Sequence, residues 1–163
     1  MTDPGMRRFD EEPEAAAVTT LLARCAAPAW AERVARGRPY PDRVALLTAS
    51  DAALAALRWD EVLAALAAHP RIGAPRDAVS RREQAASAEA GEAARTELIG
   101  LGRAYEARFG HVFLICATGL SADAMLESLR TRLGNDVDEE RRVVRAELRK
   151  ITRLRLEKLL EDA

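Results

Sequence analysis

Apolar positions recur at helical spacing along nearly the whole chain, and proline, glycine and capping residues punctuate them. Residues 1 to about 12 carry much charge and little apolar pattern, so a poorly ordered leader is expected there, residues 1–8 in the narrower reading. Pro13 is suited to open a helix that runs to about Cys25, because a first-turn proline sacrifices no intrahelical hydrogen bond. Pro28 starts a second, shorter helix through Trp30 and Val34, which stops at Gly37-Arg38-Pro39, where the residue before proline is pushed out of helical conformation. Between Asp42 and Leu57 the positions Val44, Leu47, Leu54 and Leu57 keep helical spacing, while Ser50 and Asp51 leave open one helix or two. Asp60 is expected to cap the next helix, whose apolar residues Val62, Leu63 and Leu66 lead to a stop at His69-Pro70.

The second half begins at Ser80-Arg-Arg-Glu83, which has the spacing of a capping box. A long helical pattern follows, with a kink expected near Gly91 or Gly100. It sets Leu98, Leu101, Tyr105 and Phe109 on one face and stops at Gly110. Val112 to Ala117 is a short apolar run that composition alone would allow as a strand. With no second strand to pair with, a buried extended segment is expected. Ser121 caps a helix carrying Met125, Leu126 and Leu129, for which Gly134-Asn135 predicts a left-handed stop. Asp136 or Asp138 begins the last helix, about 139 to 161. Three- and four-residue steps there join Val144, Leu148, Ile151, Arg155 and Leu159 into a stripe, so Arg155 is expected on the apolar face and Arg149, Lys150 and Arg153 on the polar side.

Alanine and leucine dominate and aromatic residues make up 4% of the chain, a balance that favours helix. The expectation is an all-α fold, a single compact domain of about seven or eight helices over residues 1–163. A chain of this length can bury roughly 70% of the surface its unfolded form exposes. The formal net charge is −1, from 25 basic and 26 acidic residues that are interspersed. No bulk field draws in nucleic acid or an anionic membrane. Cys25 and Cys116 are too few for a disulfide framework and lack the spacing of a zinc site, so they read as reduced thiols buried in a reducing compartment. No stretch has the apolar length of a membrane span, nor does MTDPGMRRFDEEPE carry a secretory core. A soluble, cytoplasmic protein is expected.

His69 is the first candidate for chemistry. A histidine at a helix C-terminus has a plain structural explanation, since its cation suits the dipole and its ring can cap carbonyls. Against that, Pro70 fixes the exit of the chain, Gly73 allows close approach of the backbone, and Glu83, Gln84 and Arg155 supply polar groups. A carboxylate beside a histidine tunes it for proton transfer near neutrality. The turn at Ser80 and Glu83 is explained by the capping box, yet a helix N-terminus also presents N–H groups to an anion. An arginine on an apolar stripe needs a partner, and either a protein carboxylate or a bound ligand serves Arg155. His111 reads as a surface or supporting residue. Two histidines far apart give little signal for a metal, and no phosphate loop or hydrolase elbow is present.

Taken together, His69-Pro-Arg-Ile-Gly73, Ser80-Arg-Arg-Glu-Gln84, Phe109-Gly-His-Val-Phe-Leu-Ile-Cys-Ala-Thr-Gly119, Arg132-Leu-Gly-Asn135, Glu140 and Lys150-Ile-Thr-Arg-Leu-Arg-Leu156 resemble the OHCU decarboxylase family (OHCU, 2-oxo-4-hydroxy-4-carboxy-5-ureidoimidazoline). Cys25, Trp30 and Arg38-Pro39 are similar to that family's first third, and the resemblance covers roughly residues 9 to 161. It implies an all-α carboxy-lyase, often a homodimer, that decarboxylates OHCU to (S)-allantoin at the end of urate oxidation, with no metal or organic cofactor. It further implies His69 and Glu83 as catalytic residues. Pro70, Ser80, Gln84, Arg155 and the backbone of Phe113, Leu114, Ile115, Cys116 and Ala117 would then contact the substrate. The interval between His69 and Glu83 is shorter than in many members, and His111 stands where an aromatic residue is common.

Those residue types suit the chemistry. Loss of CO2 leaves negative charge to be delocalised over the ring, and fixed donors such as Arg155 and the N–H groups of 113–117 lower that barrier. A histidine on one face delivers the proton with a defined hand. Two other readings remain: a non-enzymatic helical interaction module whose charges are caps and surface pairs, and a decarboxylase or hydrolase acting on another purine-derived ring.

Overall fold

The structure is a computed structural model, and it describes residues 3–71 and 91–161. Eight helices are present among the described residues: α1 Pro4–Glu11, α2 Glu14–Leu22, α3 Pro28–Arg36, α4 Arg43–Ala55, α5 Trp59–Leu66, α6 Glu92–Phe109, α7 Ala122–Leu133 and α8 Val137–Glu161. Among the same residues no strand occurs, so the all-α expectation holds. The capping box at Ser80 lies outside the described residues. Among the described residues no helix is long and apolar enough to cross a membrane.

Two compact units emerge where the sequence shows no boundary. One comprises residues 1–65 and 149–163, the other residues 66–148. In the first, the expected leader is instead helix α1. Asp3 caps it, its Oδ1 accepting from the Gly5 N–H at 2.9 Å, and pairs with Arg43. Only two large apolar side chains made this segment look disordered, but both, Met6 and Phe9, are buried at 3% exposure. Close backbone approach explains how so short a helix docks: a Cβ on Gly5 would stand 1.9 Å from the Leu160 carbonyl oxygen.

Pro28 sits in the first turn of α3 as expected. Asp42 caps α4 by accepting from the Ala45 N–H at 2.8 Å. That helix is single, because its two polar residues have partners of their own. Ser50 Oγ accepts from the Trp30 indole N–H at 3.0 Å, and Asp51 receives Arg153 Nε at 3.0 Å on both carboxylate oxygens. Arg38 closes two helix ends at once, donating to the carbonyls of Phe9 at 2.6 Å, Glu12 at 2.7 Å and Ala35 at 2.9 Å. Helix α5 starts at Trp59, two residues earlier than a cap at Asp60 implies. Asp60 lies inside its first turn, and the cap is Glu61 reaching back to the Arg58 N–H at 2.9 Å.

The second unit is organised on Leu98, Tyr105, Phe113, Met125, Leu126 and Leu129, all buried. Leu101 and Phe109 pack against that cluster, so the predicted face of α6 is its inner face. Gly91 is non-helical and marks the start of α6, whereas Gly100 lies within the helix. Gly110 ends it at φ 80°, a conformation that favours glycine. Ser121 caps α7, accepting from the Ala124 N–H at 3.1 Å. The left-handed stop expected after α7 is absent: Gly134 has φ −88°. The turn closes instead through short-range bonds from the Gly134 N–H to Thr131 and the Asn135 N–H to Arg132, both 3.1 Å. Asp136 caps α8 through the Glu139 N–H at 2.7 Å.

Along α8, Val144, Leu148 and Ile151 are buried as expected. Beyond them the register departs from the predicted stripe. Thr152, Leu156 and Leu160 are the deeply buried positions, with Arg155 and Leu159 half-buried on the flank. Contact between α1 and the Leu160 backbone turns that face inward.

Candidate active site

His69 follows the last turn of α5, its N–H bonded to the Leu66 carbonyl at 2.9 Å. It is 9% exposed, and Pro70 beside it is buried. The chain therefore carries its candidate base into an environment from which most water is excluded. Arg71 turns outward and pairs with Glu106 of α6 at 2.9 Å. Glu106, Gly102, Arg103, Val112 and Phe113 join Arg71 around a cavity of about 250 Å³, small for a ligand site. In the first unit a wider, more open cleft of about 740 Å³ runs along α1, with Arg7, Arg8 and Arg24 facing Glu11 and Glu12. It holds none of the candidate residues, and its mixed charges specify no ligand.

The segment 112–117 is irregular and largely buried, as the sequence implies: Phe113 is 5%, Leu114 4% and Ala117 7% exposed. Its backbone is gripped at two points that the sequence analysis missed. Arg132 Nη1 donates to the Leu114 carbonyl at 2.7 Å. Glu147 Oε1 accepts from the Cys116 N–H at 3.1 Å, so that N–H already has a protein partner. Ile115, between them, is partly accessible.

Arg132 itself is 4% exposed and Glu140 1%. Their pair is bidentate, with Nη2 at 2.7 Å and Nε at 3.0 Å from Glu140 Oε2. Asn135 donates to the other oxygen at 3.1 Å, and the Tyr105 hydroxyl donates to Oε2 as well. The guanidinium also lies 4.3 Å from the Phe113 ring centroid. Burial, then the Glu140 carboxylate, pushes the Tyr105 phenol well above its usual range. A charged pair removed from water this completely is tolerable because every side-chain nitrogen of Arg132 and both Glu140 oxygens have hydrogen-bond partners. The family motifs hold both residues, but the main-chain target of Arg132, Leu114, is remote in sequence from the pair.

His111 packs its ring edge-on to Tyr105 at 5.5 Å, with Nδ1 3.0 Å from the Val112 carbonyl oxygen, a supporting position next to the cluster. Arg155 belongs to the first unit, where Nη1 donates to the Arg24 carbonyl at 2.9 Å. One of its partners there is thus a main-chain oxygen. Close by, burial pushes the Cys25 thiol up to about 11, against the smaller pulls of Thr152 and Arg155. Neither cysteine is in a disulfide; Cys25 is buried and Cys116 only partly so. Ser80, Glu83 and Gln84 lie outside the described residues.

Comparison with known proteins follows the same outline. The chain is 31% identical over 147 residues to the uric acid degradation bifunctional protein TTL of Arabidopsis thaliana, an alignment covering 85% of this chain and 45% of the relative. It is 38% identical over 73 residues to the 2-oxo-4-hydroxy-4-carboxy-5-ureidoimidazoline decarboxylase of Amia calva, covering 45% of this chain and 41% of that one. It thus spans less than half the length of these two curated relatives. Among solved structures, an OHCU decarboxylase crystallised in the presence of (S)-allantoin superposes with a TM-score of 0.78 at 27% identity, covering 88% of this chain and 98% of the other. An (S)-allantoin synthase shares the fold, with a TM-score of 0.74 at 18% identity over 94% of this chain and 53% of that one. The model of the OHCU decarboxylase family matches residues 10–157, nearly the whole chain. The likeness first read from scattered motifs therefore extends through sequence and fold alike, and this chain belongs to the OHCU decarboxylase family.

Proposed function

We propose that the protein decarboxylates OHCU to (S)-allantoin and CO2, completing the oxidation of urate. The observation that carries this reading is the likeness to the OHCU decarboxylase crystallised with (S)-allantoin, which this chain matches over 98% of that protein's length. In this reading His69, oriented by Glu83, handles the proton at the substrate hydroxyl, whose carbon loses CO2 and becomes a ring carbonyl, or delivers one to the neighbouring ureido-bearing carbon, onto which the carbanion charge is delocalised. Delivery from one face sets the hand of the product. Burial of His69 favours such a role, since a partly dehydrated imidazole transfers a proton without competition from bulk water. Pro70, Ser80 and Gln84 shape the pocket, while Arg155 and the backbone of 113–117 hold the ring and its developing charge. The reaction proceeds as a carboxy-lyase reaction without a cofactor, in a cytoplasmic homodimer; two cysteines outside any disulfide accord with a reducing compartment.

The test is turnover of freshly generated OHCU, with and without chelator, read by the chirality of the allantoin formed. His69→Ala is expected to lose at least about 100-fold in kcat, the usual share of a general acid or base. Full activity in that variant removes His69 from the mechanism. Absence of turnover by the parent protein removes the reading itself, and a single mass in solution equal to the monomer removes the dimer.

A further inference from the structure

Buried charge in the second unit converges on one residue that carries none. The Leu114 carbonyl and the Ile115 N–H belong to one peptide group, and the Ile115 carbonyl and the Cys116 N–H belong to the next. Arg132 donates to the first group at its oxygen, 2.7 Å away, and Glu147 accepts from the second at its nitrogen, 3.1 Å away. Both side chains are buried, at 4% and 8% exposure, so little solvent screens them. A cation on a carbonyl oxygen draws electron density through the amide and makes its N–H a stronger donor. A carboxylate on an N–H pushes density the other way and makes the linked carbonyl a stronger acceptor. Hydrogen bonds polarise one another in series, and more so at low dielectric.

We infer that Arg132 and Glu147 are positioning residues, which hold and polarise the two peptide groups flanking Ile115 so that its N–H and C=O form a strengthened donor-acceptor pair. The ligand chemistry this pair fits is the edge of a cyclic urea or amide, with an N–H and a C=O side by side. The proposed function supplies the identity of the ring; the polarisation stands on the hydrogen bonds alone. The energetics of the Arg132 pair support the assignment. Exchanging a buried ion pair for apolar residues is often neutral or stabilising, so its presence calls for a role beyond stability. The Arg132 bond to Leu114 supplies that role. Neither residue touches the substrate in this account; both act through the main chain.

The experiment uses Glu147→Gln, which keeps an acceptor oxygen for the Cys116 N–H and removes the charge. In labelled protein, the Ile115 carbonyl carbon resonance is expected to move upfield. With OHCU as substrate, KM is expected to rise about three- to ten-fold while kcat stays within about two-fold, since the lost polarisation weakens ring binding in ground and transition states alike. A residue that only stabilised the fold would lower the unfolding midpoint and leave the carbonyl resonance and KM in place, and that result overturns the inference. If the parent protein fails to turn over OHCU, the function falls, yet the Ile115 resonance still decides the polarisation. Arg132→Lys offers a second route: its weaker grip on Leu114 is expected to shift the Ile115 amide proton upfield, and an unmoved proton counts against the idea even if Glu147→Gln does not fold.

Discussion

Trp30 and Ser50 are joined by a hydrogen bond of 3.0 Å, and neither residue retains exposed surface. The bond ties α3 to the middle of α4 and gives a serine a reason to occupy a helix interior. Ser50→Ala leaves the indole N–H without its acceptor, which costs about 1–3 kcal/mol. Urea unfolding should show a lower midpoint at unchanged slope. Pairing that change with Trp30→Phe, which removes the orphaned donor, should recover part of the difference, and strict additivity of the two changes would show the bond to be energetically idle.

For the buried pair of the second unit, Arg132→Met alone strands the Glu140 carboxylate and is expected to destabilise by about 3–5 kcal/mol. Adding Glu140→Leu should restore much of that loss. The double variant should remain impaired on OHCU even where its stability returns, because the Leu114 carbonyl has lost its donor. Calorimetry and kinetics on the same preparations separate the two effects.

Gly5 is expected to tolerate no side chain. A methyl group there meets the Leu160 carbonyl oxygen at 1.9 Å, and backbone on both sides leaves neither partner free to yield. Gly5→Ala should cost about 1–3 kcal/mol, as overpacked sites do, and should speed tryptic cleavage after Arg7 or Arg8. Unaltered cleavage would mean that α1 is held elsewhere.

Much of this architecture was legible because local chemistry and tertiary packing agree. Pro28 opens α3 at a first-turn position where no N–H is needed, Asp42 and Ser121 start helices where their side chains satisfy free N–H groups, and Gly110 stops α6 with its positive φ. Errors arose where a distant partner decides. Helix α1 has little apolar pattern of its own and depends on Leu160. Counting along α8 alone puts Arg155 on an inner stripe, but packing at Leu160 favours Leu156 instead. Likewise nothing in the spacing of Arg132 and Glu140 points to Leu114, 18 residues earlier. Of the candidate site, the helix stop before His69 and the buried run at 112–117 were legible, because a helix stop and an apolar run are local features. The grip on that segment could not.

Cys25 gives a pH prediction of definite sign. Its thiol is raised from 9.0 to about 11 in the folded protein, so the folded state binds the proton more tightly than the unfolded chain does. Its contribution is complete below pH 9 and is lost as pH rises through 9 to about 11. The loss is roughly 2–3 kcal/mol at the top of that range. Cys25→Ala should be less stable than the parent at neutral pH and should lose less stability over the alkaline range. The native thiol should also react slowly with alkylating reagents until the protein unfolds.

Arg38 makes the amino-terminal turn of the protein an anchored part rather than an appendage. Its guanidinium spends donors on Phe9 and Glu12, at the end of α1, and on Ala35 near the end of α3. Shortening the chain to begin after residue 12 would therefore do more than remove a helix. It would leave the guanidinium only the Ala35 carbonyl of these three acceptors, with the Nη1 group turned toward a surface that has lost both of its oxygens.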